Sequence, residues 1–239
     1  MIFKFIQNGL ISAFIIAIFS SFNPVFAQSN DNYAKGIRYY SDSKFLMAIG
    51  SFKKAIDDGY KDPKVYFLLG NAYANNEDYD RALEEYNTAR SLTGDAVFQS
   101  IITHNTGYVF FLKKDYKSSI EYLAKAYQMN TNLVQAFWFK GMAYYRLKDK
   151  TNTINEWEGY LDRAPQGPQS DNIRKALAIL KSGTFDFDKD KIFPSENQAG
   201  TSNKAPNVEP LVNIEGVLDQ IKPVDKGKAP DTQVEEIEK

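Results

Sequence analysis

The sequence predicts an all-α fold: an α-solenoid of four helix–turn–helix units closed by a capping helix and followed by a disordered tail. Three observations carry this. A Gly followed three residues later by an aromatic recurs four times, with the glycines 34, 37 and 34 residues apart. Small and large apolar residues recur in register behind each copy. From residue 184 onward prolines and acids accumulate, and aromatic residues disappear after Phe193. A period of this length is the mark of a repeat array, in which each unit buries its apolar face only against its neighbours.

The segment ahead of the array reads as an export signal. Lys4 is the only charged side chain in the first thirty residues, and an apolar run from Leu10 to Phe22 follows it. Pro24 and the small-residue spacing of Val25-Phe26-Ala27 complete the charged, apolar and cleavage-site order of a secretory signal peptide. The run of thirteen residues is short for a spanning helix, which needs roughly 20. Cleavage after Ala27 would leave a protein with no stable membrane insertion, exported to the periplasm or, less simply, secreted or held at the cell surface.

The units begin at Gly36-Ile37-Arg38-Tyr39, Gly70-Asn71-Ala72-Tyr73, Gly107-Tyr108-Val109-Phe110 and Gly141-Met142-Ala143-Tyr144. Twelve residues after each Gly comes Ala48, Ala82, Ser119 or Thr153; four further on, Phe52, Tyr86, Leu123 or Trp157; three beyond that, Ala55, Ala89, Ala126 or Tyr160. Small residues belong where two helices cross closely, since a larger side chain would push the backbones apart. The aromatics Tyr39, Tyr73, Phe110 and Tyr144 are expected to fill the space the small residues leave. The four-then-three spacing of the later positions puts them on one helical face. Polar turns follow at Ser41–Lys44, Asn76–Asp78, Lys113–Asp115 and Lys148–Lys150. Asp62-Pro63 supplies an N-cap acceptor before a proline at the first helical position, and Gly94-Asp95 and Asn130–Asn132 open later units. The three extra residues between Gly70 and Gly107 must lengthen either a linker or the first helix of the third unit.

This pattern resembles the tetratricopeptide repeat family, whose unit is two antiparallel helices. The resemblance runs from about Asp31 to Pro165, and its units fall near 29–62, 63–96, 100–133 and 134–167 within a domain of residues 28–183. The fourth copy departs most: Thr153 and Tyr160 stand where the family prefers Ala, so a looser crossing is expected there. A helix over 170–182, with Ile173, Leu177 and Leu180 on one face, Ser170 as N-cap and Gly183 as stop, would cap the array.

Residues 184–239 carry seven Lys against twelve acids, a net of −5, whereas 28–183 carry a net of +3. Five of the nine prolines lie in this tail. So polar a segment cannot bury enough apolar area to offset its ordering entropy, and disorder is expected. One amphipathic island, Leu211, Ile214, Leu218 and Ile221, could fold on a partner or dock on the repeats.

The family resemblance implies that the first helices of successive units line a concave groove. It places there Tyr33, Tyr40, Phe67, Asn71, Asn75, His104, Tyr108, Phe111, Trp138, Tyr145 and Arg146, with Ile37 and Met142 beside them. Such a set suits a protein or peptide partner, with apolar side chains in pockets and Asn71 and Asn75 bonding its backbone; aromatic and Arg side chains are also what interface hot spots favour. Asn71, Asn75 and Arg146 stand out because core positions seldom hold them. Stacked aromatics would equally suit a glycan, peptidoglycan or lipoprotein surface. The Lys/Asn clamp with which some family members grip a C-terminal carboxylate is missing: the inward positions hold Tyr33, Phe67, His104 and Trp138.

An enzyme is not expected. There is no Cys and one His, which leaves no Cys/His catalysis and no multi-His metal site. No phosphate-cradling Gly-rich loop occurs. Asp186, Asp188 and Asp190 alternate like a calcium loop but lack its Gly and closing Glu. No cofactor or metal is expected, and a net charge of −1 gives no argument for nucleic acid.

Overall fold

The computed structural model describes residues 31–190 and 192. The signal peptide expected over residues 1–27, the tail past Ile192 and its island at 211–221 lie outside the described residues. Among the described residues the architecture is all-helical: α1 (Asp31–Ser41), α2 (Phe45–Asp57), α3 (Pro63–Asn75), α4 (Tyr79–Leu92), α5 (Ala96–Leu112), α6 (Tyr116–Met129), α7 (Gln135–Arg146), α8 (Lys150–Arg163) and α9 (Ser170–Lys181). Each helix packs on the next along the chain, and α1 also touches α3 while α5 touches α7. With Asn105 of α5 bonded to Asn71 of α3, the first helices of the units form a continuous inner layer.

Each crossing is a glycine pressed against a large side chain sixteen residues later. A Cβ placed on Gly70 would sit 2.6 Å from the Tyr86 ring, and one on Gly107 would sit 2.8 Å from Leu123. Gly36 against Phe52 and Gly141 against Trp157 are closer still. Ala48, Ala82, Ser119 and Thr153 are fully buried beside them. The space opposite each glycine is thus filled from the second helix, and the expected role of Tyr39, Tyr73, Phe110 and Tyr144 moves elsewhere. They sit at the end of each first helix and pack sideways onto the second: Arg81 lies 5.6 Å over Tyr73, and Phe110 stacks on Tyr122 at 5.1 Å. The fourth crossing is no looser than the others. Thr153 turns its hydroxyl back to the Asp149 carbonyl at 2.7 Å, and Tyr160 is buried with its hydroxyl accepting from the Gln169 backbone N–H at 3.4 Å.

The turns inside the units repeat a motif that the residue types do not announce. Ser43, Glu77, Lys114 and Lys148 all have φ between 58° and 64°. Their N–H groups bond back to Tyr40, Ala74, Phe111 and Tyr145, and the following N–H groups bond to Tyr39, Tyr73, Phe110 and Tyr144. This is the Schellman closure of a helix C-terminus, here built at the left-handed position without the usual glycine. In three turns the residue that completes the motif also opens the next helix: Asp78, Asp115 and Asp149 accept from the N–H groups of Arg81, Ser118 and Asn152. Lys44, at the same place in the first unit, has no such side chain, and α2 starts without a side-chain cap.

Asp62 and Asp95 cap α3 and α5, accepting from Lys64 N at 2.8 Å and Phe98 N at 2.9 Å. The extra residues of the third unit go into helix, since α5 has 17 residues against 13 in α3 and 12 in α7. In the capping helix Ile173, Ala176, Leu177 and Leu180 are buried. Ser170 does not cap it; the Ser170 hydroxyl reaches back to the Ala164 carbonyl at 2.6 Å, and Gln169 takes the N-cap position. The chain does not loosen at Thr184. Phe185, Phe187 and Ile192 are half-buried against the core, so the segment after α9 folds back onto the array.

Candidate partner-binding face

The inner layer is stitched together by contacts between first helices roughly one repeat apart. Between α1 and α3, Asn75 Nδ2 donates to the Tyr40 hydroxyl at 3.0 Å, and it also reaches the Asn71 carbonyl at 2.8 Å. Between α3 and α5, Asn105 Nδ2 donates to Asn71 Oδ1 at 3.2 Å. That oxygen also accepts from the Tyr86 hydroxyl at 2.6 Å. Phe67 packs edge-on against Phe98 at 5.3 Å. Between α5 and α7, Phe139 is the hub: the rings of Tyr108, His104 and Phe111 lie 4.8, 5.8 and 6.3 Å from it.

Burial divides the eleven candidate residues into two groups. Asn71 (0% exposed), Phe67 (1%), His104 (2%) and Trp138 (2%) are closed off from any partner. Core positions seldom hold Asn; here the core gives the Asn71 oxygen two donors, which offsets part of the cost of burying it, while its buried Nδ2 is unbonded among the described residues. Trp138 stacks on Trp157 at 5.6 Å and accepts that residue's indole N–H on its carbonyl at 3.3 Å. Met142 is buried as well. The second group stays within reach of solvent. Tyr33, Ile37, Tyr40, Asn75, Phe111, Tyr145 and Arg146 are half-buried, and Tyr108, at 8% exposed, marks the border. Tyr33 leans on Tyr60 at 4.8 Å, Tyr40 on Phe45 at 5.6 Å, Phe111 on Tyr116 at 5.6 Å and Tyr145 on Trp157 at 6.2 Å.

Burial also sets the protonation of this layer. It pushes the phenols of Tyr33, Tyr40 and Tyr86 well up and that of Tyr108 up to about 12, so all act as neutral hydroxyls. Desolvation drives His104 down to about 4, against a weaker opposing contribution from its hydrogen bond to Asn105. His104 Nδ1 lies 3.4 Å from Asn105 Oδ1. Its Nε2 is buried and unbonded among the described residues. The face is therefore uncharged apart from Arg146. It offers ring surface and hydroxyls on packed helices, and its one histidine is held neutral by burial.

Residues 33–96 match the tetratricopeptide repeat family model. The chain carries tetratricopeptide repeats. Among curated relatives, this repeat protein is 28% identical over 111 residues to the Photosystem I assembly protein Ycf3 of Acaryochloris marina, covering 45% of this chain and 67% of that one. Among solved structures, its fold is similar to MamA of Desulfovibrio magneticus RS-1, with a TM-score of 0.54 and 19% identity over 62% of this chain and 81% of that one. It is likewise similar to PilF of Pseudomonas aeruginosa, with a TM-score of 0.52 and 18% identity over 61% of this chain and 65% of that one. A chain of the APC/C hetero-tetramer Cut9-Hcn1 gives a TM-score of 0.55 at 17% identity; 63% of this protein aligns, but only 29% of that chain's length. At these identities the solved structures speak to the fold.

Three further members of the layer carry little signal in the sequence: Asn105, Tyr86 and Phe139. Asn105 carries one signal, an amide in the mostly apolar helix α5 exactly as far from Asn71 as one repeat length of 34. The insertion moves Gly107 off that spacing and hides the correspondence. Tyr86 reads as a crossing residue, and its hydroxyl's second role shows only once Asn71 lies opposite. Phe139 precedes the repeat's Gly by two positions and has no aromatic counterpart before Gly70, where Leu68 stands.

Proposed function

We propose that this protein is an exported, non-enzymatic scaffold that binds a protein partner on the aromatic inner face of its repeats. Tetratricopeptide-repeat proteins act in protein–protein interaction and scaffolding, and the one curated relative named above is an assembly protein by name. The observation that carries the reading is the strip Tyr33, Tyr40, Asn75, Phe111, Tyr145 and Arg146, half-exposed on helices held rigid by the buried residues behind them. Aromatic and Arg side chains fixed in place lose little conformational entropy on binding, which is the property that makes hot spots. The role of Asn71, His104 and Trp138 in this reading is to hold the face and not to touch the partner. Export rests on the charged, apolar and small-residue order of residues 1–27. Among the described residues no helix is long and apolar enough to cross a membrane.

The test uses the full chain as bait in an envelope extract. Phe111→Glu places a charge on the inner face, and Leu92→Glu places one on an outer helix at a side chain that is 46% exposed. A protein recovered by wild type and Leu92→Glu but lost with Phe111→Glu is the expected result. Equal recovery by all three baits overturns the reading. Retention of cell-wall material alone would assign the face to a glycan, peptidoglycan or lipoprotein surface.

A further inference from the structure

The segment that follows the capping helix, Thr184-Phe185-Asp186-Phe187-Asp188-Lys189-Asp190, alternates aromatic and acidic side chains, and it lies across the junction of α7 and α8. Phe187 packs on Tyr145 with ring centres 5.5 Å apart, and Phe185 stands edge-on to Phe187 at 4.9 Å. The Lys150 ammonium lies 5.8 Å over the Phe185 ring. Asp188 pairs with Lys148, and the backbone N–H of Ile192 donates to the Tyr145 hydroxyl at 3.4 Å. Each distinctive side chain of the segment thus meets its chemical complement: ring on ring, ring under cation, carboxylate on cation.

The segment is also held in a turn by its own hydrogen bonds. Asp190 Oδ2 accepts from Asp186 N at 2.8 Å, and Asp186 Oδ1 accepts from Asp188 N at 2.9 Å. The Lys189 and Asp190 N–H groups return to the Asp186 carbonyl. The three acids that resemble a calcium loop in sequence are occupied in this way, two inside the turn and one on Lys148. On the receiving side, the geometry comes from features already fixed by the repeat. Tyr145 is stacked on Trp157, and Lys148 occupies the left-handed position of the last Schellman turn, with a φ of 60°.

We propose that Tyr145, Lys148 and Lys150 form a recognition site for acidic, aromatic peptide segments, and that residues 185–190 of this chain are its resident ligand, held in cis and displaceable by a partner segment of the same chemistry. The contacts are suited to exchange. The Lys148–Asp188 pair is mostly exposed, with side-chain exposures of 59% and 75%, and pairs of that kind contribute little. The two phenylalanines remain half-buried. Tethering supplies what the contacts lack, because a linked ligand acts at an effective concentration in the millimolar range. Since Tyr145 belongs to the inner face, the occupied site closes one end of that face. The inference stands on the cis contact alone and does not depend on what the rest of the face binds.

The probe is a fluorescent synthetic peptide spanning residues 184–192, titrated by anisotropy into full-length proteins. The chain carrying Phe185→Ala and Phe187→Ala, whose vacated site is free, should bind it at least about ten-fold tighter than wild type does. Adding Lys148→Glu and Lys150→Glu to that variant should abolish binding. The substituted phenylalanines lie after the last helix, and circular dichroism checks that the helical array is kept. The Asp188→Lys chain, which leaves every ring in place, should show a smaller gain in the same direction. Equal binding to wild type and both variants overturns cis occupancy. No saturable binding to either variant, or binding indifferent to the lysine reversals, overturns the site itself.

Discussion

The crossings inside the repeats and the layer that joins one repeat to the next are built from opposite materials. Each crossing sets a glycine against a large side chain, with a small residue beside it, and the same positions serve in all four units. The joining layer changes along the array. In its first three units it is a chain of amides and hydroxyls running from Tyr40 through Asn75, Asn71 and Tyr86 to Asn105. Between the third and fourth it is a cluster of rings, Tyr108, His104 and Phe111 gathered on Phe139. A crossing answers to one geometric demand, close approach of two backbones, and repetition preserves it. A joint answers to whichever neighbour it meets, so it varies, and variation on the inner face is where a partner can be distinguished.

The sharpest way to break this comparison is to empty a crossing that also supports a joint. Trp157→Ala removes the filler opposite Gly141 and the platform under Trp138 and Tyr145, and should cost about 3–5 kcal/mol in chemical denaturation. Tyr86→Ala should fall in the same range. A loss well below this in either would mean that the crossings tolerate collapse.

The polar joint is tested by acid. His104 is buried neutral with its value lowered to about 4, while the unfolded chain takes up the proton near 6.5. Below the unfolded value the unfolded state binds more protons, so stability is full above roughly pH 6.5 and declines as pH falls towards 4. The loss amounts to about 3 kcal/mol over that window. His104→Gln should flatten that part of the stability–pH curve. If the slope is unchanged, other groups carry it.

Overfilling is the next smaller effect. Gly70→Ala forces a methyl towards the Tyr86 ring and to 3.2 Å from the Ala82 carbonyl, and should cost about 1–3 kcal/mol. The same change at Gly50, which has open space around its Cβ position, should be neutral to stabilising by up to about 1 kcal/mol because it lies within helix α2. The smallest effect belongs to the turns: Lys114→Gly relieves a left-handed lysine with a φ of 64° and should stabilise by up to about 1 kcal/mol. A destabilised Lys114→Gly would show that the lysine side chain has a structural partner of greater value.

How much could be read beforehand follows the same division. The glycines, the small residues and their period pointed to helix pairs that cross closely, and the Asp62-Pro63 cap and the face of α9 were readable because their contacts lie within a few residues. The partner across each glycine is not Tyr39, Tyr73, Phe110 or Tyr144, because the Gly–aromatic spacing of three places both on one helix while the filler comes from the other. The turn positions at Ser43, Glu77, Lys114 and Lys148 left no trace in residue type, since the backbone closure holds them there without glycine. Of the candidate face, Phe67, Asn71, His104 and Trp138 have the residue types of contacts but sit behind the surface. The docked turn after α9 was hidden because its polar composition reads as unordered, and its ring and charge partners on Tyr145, Lys148 and Lys150 lie some forty residues away.

By itself the sequence determined the repeat unit, its number and the small-against-large logic of its crossings, because those contacts close within sixteen residues and recur in register. Only the tertiary structure decided which inner-face side chains remain accessible and what lies on the last of them. Those depend on the neighbouring unit and on a segment returning from beyond the cap, and no local pattern encodes the distance between them.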